Sequence, residues 1–122
     1  MKNQEAVTIP LGGLLRQGDV MLKRVDVAIP AETPKKEDKA VAYGEHSGHA
    51  HVATGEDTHV FTFEGKMYVS VGTDGGGMLE HIHLPTQKQA DHNPLRLGKG
   101  VYEVILQNQF NPFSKMMEQV RD

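Results

Sequence analysis

Short runs of alternating apolar residues, each closed by a glycine-rich turn, are what most narrows the folds open to this 122-residue chain. A strand carries side chains to its two faces with a period of two, and glycine punctuation every eight to twelve residues is the spacing of an all-β sandwich or barrel. The first run follows Gly18-Asp19. Val20 and Leu22 share one parity and Val25, Val27 and Ile29 the other, which predicts a bulge near Lys23-Arg24, since one extra residue restores the inward direction. Further strands are read at Ala40 to Tyr43, Ala50 to Thr54, His59 to Glu64, Met67 to Val71, Met78 to Leu84 and Val101 to Gln107. Residues 1–17 read as an N-terminal arm, and 30–39, with two prolines and six charges, as a mobile solvated loop. A short C-terminal helix is expected over 111–121: Asn111 can cap it, Pro112 suits its first turn, and Phe113, Met116, Met117 and Val120 share a face.

Onto this pattern the chain places four of its seven histidines as two His-x-His pairs, His49-Ala50-His51 and His81-Ile82-His83. In a strand residues i and i+2 project together, so each pair offers two imidazoles to one point in space. Ala53 continues the face of His49 and His51 and leaves room for a ligand, while Leu79 continues that of His81 and His83 and argues for burial. Buried imidazoles need partners, and a divalent transition metal is one. The alternative is an exposed polar strand face or a hydrogen-bonded histidine network. His92, in Ala90-Asp91-His92-Asn93-Pro94, can complete a site from a turn. His46 is three residues before His49, and an exposed role is expected for it; His59, in register with Phe61 and Phe63, reads as a packed or rim residue. Of the nearby carboxylates, Glu80 has the wrong parity to face His81 and His83, whereas Glu56 is better placed. Two histidines and a carboxylate with open positions suit iron, manganese or zinc, and an open position admits water whose pKa the metal lowers.

Other chemistries find little support. Without cysteine there is no disulfide, thiolate ligand or cysteine nucleophile, and a reducing, cytoplasmic setting is expected. Ser47 lacks the flanking pattern of a serine nucleophile, Gly75-Gly76-Gly77 reads as a hairpin turn, and no phosphate-binding loop appears. A formal charge of -3, no long basic run and few aromatics disfavour nucleic acid. The apolar stretch from Val7 to Leu15 is interrupted by Pro10, Gly12 and Gly13 and is too short to span a membrane.

His49-x-His51 followed by Glu56 resembles the first metal-binding motif of the cupin family, in which two histidines and a glutamate join a later histidine around one metal. His92 falls at roughly the distance of that fourth ligand. The family's second motif, Pro-x-Gly-x-x-His, is not reproduced, since Gly98 and Gly100 are followed by Tyr102. The chain as a whole is also similar to small uncharacterised bacterial and tailed-phage proteins that share a Gly-Asp-Val strand, a Gly-Glu-x-Ser/Thr-Gly-His-x-His segment and a His-x-Pro segment, here Gly18 to Val20, Gly44 to His51 and from His92. This resemblance implies a bacterial or phage origin.

The sequence thus leads us to expect one all-β domain over residues 1–122, a small cupin-like barrel or sandwich, with a metal site drawn from His49, His51, Glu56, His83 and His92. Two arrangements remain open. With Glu56 and His92 the site keeps a position for water and suits a hydrolytic or oxygen-dependent enzyme. With His81 and His83, four imidazoles close a tetrahedral zinc and suit a structural role in a binding module. A metal-free accessory protein is the third reading. The partner, a small molecule, a protein or a second copy of the chain, is left open.

Overall fold

The computed structural model describes residues 9–44 and 48–107. They form ten strands: β1 (Leu14–Gln17), β2 (Val20–Val25), β3 (Ala40–Tyr43), β4 (His49–Gly55), β5 (Thr58–Phe63), β6 (Lys66–Val71), β7 (Gly77–His83), β8 (Lys88–Gln89), β9 (Leu95–Leu97) and β10 (Gly100–Leu106). One antiparallel sheet runs β1-β2-β10-β6-β5. The other runs β3-β4-β7-β8, with β9 also paired to β7. The expected all-β architecture is therefore what forms, a small sandwich of two sheets. The C-terminal helix expected over 111–121 lies outside the described residues, as does His46.

Period-two alternation decides which residues meet between the sheets. Val20 and Leu22 of β2, Val60 of β5, Val69 and Val71 of β6 and Tyr102 of β10 face Val41, Ala53, Leu79 and Leu97 of the second sheet in one apolar cluster. Tyr102 can be buried because its hydroxyl donates to the carbonyl of Gly98 at 2.7 Å.

Three readings of the sequence change here. No bulge forms at Lys23-Arg24, where β2 keeps unbroken register with β10 from Val20 to Val25; the irregularity lies between Ala40 and Ala42. The direction change after β2 is met by ending the strand at Val25. The last four residues of the 1–17 arm are strand β1, paired Leu14 to Lys23 through Gln17 to Val20. Short strands β8 and β9, which have too few residues to show alternation, complete the outer edge of β7.

The 30–39 segment is tied at its middle. The Lys36 amide donates to the Val60 carbonyl at 2.7 Å, and Lys35 bridges Phe61, so the segment caps the open edge of β5. The Lys36 ammonium and the Asp38 carboxylate pair beside it, and that contact holds the Asp38 carboxyl below its ordinary range. We expect the Lys36 amide to exchange with solvent at least ten-fold more slowly than those of Glu32 and Glu37, a contrast read by hydrogen exchange. Equal rates at all three would contradict this tether.

Candidate functional site

Strands β4 and β7 are neighbours in register, and the register is what assembles the site. His49 lies opposite His83 and His51 opposite His81, while Ala53 lies opposite Leu79 in the same ladder. Directly opposed residues in an antiparallel pair share a face. Because Ala53 and Leu79 belong to the core, the four histidines continue the inward face toward one end of the sandwich. Burial follows that gradient: His51 and His81 are buried, whereas His49 and His83 at the mouth are half-buried.

A fifth imidazole joins from the break between β8 and β9. β8 pairs with Ile82 and His83, β9 pairs with Gly77 to Leu79, and the linker between them crosses beside His81. Pro94 has no amide proton, so the ladder cannot run on through Asn93-Pro94. The linker is held instead by the Ala90 amide on the His81 carbonyl at 2.7 Å and the His92 amide on His81 Nδ1 at 3.1 Å. His92 itself is exposed and packs over the β1-β2 turn. A Cβ on Gly18, whose φ is +59°, would stand 2.6 Å from His92 Nε2, so glycine suits both the turn and the ring above it.

The rings form one continuous patch. His51 and His81 stack at 4.4 Å between centres and 18° between planes. His81 also meets His49 edge-on at 5.2 Å and His92 at 4.9 Å; His49 meets His83 edge-on at 5.4 Å, and His51 and His92 are 6.2 Å apart. In these orientations no three His, Asp or Glu side chains among the described residues converge on a point that would hold a metal ion.

Gln17 is the residue that sequence reasoning missed. It is 3% exposed, on the last position of β1, and it crosses from one sheet to the other. Its amide nitrogen donates to the carbonyls of Leu79 and Asn93, both at 2.8 Å, and its Oε1 lies 2.8 Å from His51 Nδ1. Nothing in Leu-Leu-Arg-Gln alternates, so its inward direction is visible only from its pairing with the core residue Val20.

Burial and the neighbouring rings favour the neutral forms of His51 and His81. Burial, and then the neighbouring His81 and His92, push the His51 pKa from 6.5 to about 4. Burial, then His92 and His49, also lower that of His81. The carboxylates whose charge opposes these shifts are Asp19 for His51 and Asp91 for His81.

Glu56 does not join. It is exposed in the turn after Gly55, which pairs with Gly77 at the far end of the β4-β7 ladder. At about 3.3 Å per residue, Gly55 alone lies roughly 13 Å along the strand from His51. Nearness in sequence nominated Glu56, and distance along the strand separates it from the histidines. Glu80 does point away from the histidines, accepting from the Thr54 hydroxyl at 2.7 Å. His59 sits apart from the cluster, 3.4 Å from the Asp57 carboxylate and edge-on to Phe61.

Fold and site together define a small antiparallel β-sandwich with a cluster of five histidines at the open end of its core. The chain matches the family described as Domain of unknown function DUF8820 over residues 16–107, and it belongs to that family. That span runs from β1 through β10 and takes in Gln17 and all five clustered histidines. No curated protein and no solved structure matches the chain. Among the described residues no helix is long and apolar enough to cross a membrane.

Proposed function

We propose that the protein binds a divalent transition metal, zinc, iron or manganese, through imidazoles of this cluster, with His49 and His51 at its centre and His83 and His92 as the further ligands. The spacing of the rings carries the reading. With a metal-to-nitrogen bond of about 2.1 Å, ring centres lie roughly 3.2 Å from the ion, so two ligands of a tetrahedral site stand about 5 Å apart. Among the proposed ligands, His49 and His83 stand 5.4 Å apart, close to that value, and His51 and His92 stand 6.2 Å apart. Burial also lowers the pKa of His51 and so favours the neutral form that a metal needs.

With Glu56 remote, the site is an all-imidazole one. A site using three of these ligands keeps a position for water and supports hydrolytic or Lewis-acid chemistry on a small molecule; one using four closes and stabilises a binding module. The two differ in what a chelator does: a closed structural site is lost together with the fold, an open one leaves the fold standing.

A metal-free hydrogen-bonded network is the competing reading, favoured by the His92 amide already occupying His81 Nδ1. Metal analysis and zinc titration of protein purified without an affinity tag separate the two. We expect about one metal per chain in the wild type and in Glu56→Gln, and none in the double variant His49→Ala, His51→Ala. Wild-type metal content in that double variant would refute the metal reading; no binding by the wild type would leave the network.

A further inference from the structure

We infer that Gln17 and the backbone of His92 hold the stacked rings of His51 and His81 in opposite tautomers, which makes Gln17 a positioning residue for the cluster. The assignment follows from donors and acceptors that have only one role. The Gln17 amide nitrogen faces two carbonyl oxygens, those of Leu79 and Asn93. A flipped amide would set oxygen against both, so Oε1 must be the atom toward His51. Oε1 can only accept; His51 therefore carries its proton on Nδ1 and its lone pair on Nε2. A backbone N–H can only donate. The His92 amide on His81 Nδ1 accordingly puts the lone pair of His81 on Nδ1 and its proton on Nε2.

Two rings 4.4 Å apart thus present one electron-pair donor and one N–H donor. The consequence for binding is a division of labour, and this part rests on the metal reading above. His51, with Nδ1 held by a buried acceptor, is arranged as metal-binding histidines are, whereas His81 cannot ligate through Nε2 without losing that proton. His81 is left to donate a hydrogen bond. The ligand class this pair accommodates is an oxygen ligand such as water or a carboxylate, bound at the metal and accepting from His81 Nε2–H. Gln17 also explains how the two sheets cooperate in the site: the same amide that orients His51 ties the 90–94 linker to β7.

The tautomers are read directly from long-range proton-nitrogen correlation spectra of metal-free protein labelled with nitrogen-15, at neutral pH. We expect His51 as the Nδ1–H form and His81 as the Nε2–H form. In Gln17→Leu, His51 should move to the Nε2–H form that free histidine prefers, and zinc affinity should fall ten- to a hundred-fold. A wild-type spectrum showing His51 protonated on Nε2 overturns the inference, and this needs no variant to fold. Wild-type zinc affinity in a folded Gln17→Leu overturns the positioning role. If the wild type binds no zinc but shows the two tautomers, the metal reading fails and the tautomer assignment stands.

Discussion

The metal-free protein is expected to lose about 2 kcal/mol of stability as the pH falls from about 7.5 to about 5, before most carboxylates titrate. His51 drives the loss. Its pKa is about 4 in the fold against an ordinary 6.5, so between those values the unfolded chain binds a proton that the folded protein refuses. Stability from this group is complete above the unfolded pKa and is lost as the pH descends through the folded one. His81 is shifted in the same direction and adds to the effect. Urea unfolding at intervals across this range, with the slope m constant, measures it. In His51→Asn, whose amide can still donate to Gln17, most of the dependence should vanish. A stability that stays flat down to pH 4.5 would remove the physical basis for a buried neutral cluster.

Leu79→Ala should destabilise the fold by about 3 kcal/mol, within the range for emptying a fully buried leucine site. Leu79 is 0% exposed, faces Ala53 across the ladder and stands one inward position below His81. Alanine at both positions leaves a void that neither backbone can fill, because the carbonyl of residue 79 is held by Gln17 and its strand is paired on both sides. The cavity therefore forms directly beneath the stacked histidines. Urea denaturation gives the figure, and a loss under about 1 kcal/mol would mean that the site collapses or that Leu79 is not a core residue.

Both predictions rest on the inward row of β4 and β7, and that row shows where sequence reasoning reaches. Period two is a local property of an extended chain. It correctly placed His49 with His51 and His81 with His83, sent Glu80 the other way, and recovered six of the seven expected strands with small errors at their ends. The seventh, after Gly18-Asp19, starts as read and stops at Val25 without its bulge. What alternation cannot report is how far along its neighbour a residue sits. Glu56 is the example: close to His51 in sequence, it follows Gly55, which lies at the other end of the β4-β7 ladder from His49.

By itself, then, the sequence determined the all-β class, the strand faces and the pairing of His49 with His51 and of His81 with His83, because those depend on the preferences of residues and their nearest neighbours. The tertiary structure decided that the two His-x-His pairs lie opposite one another, that His92 closes over them from the gap between β8 and β9, and that Gln17 reaches across from the other sheet. Each of these depends on register or on packing between residues 11 to 76 positions apart, and such pairings exist only once both sheets have formed.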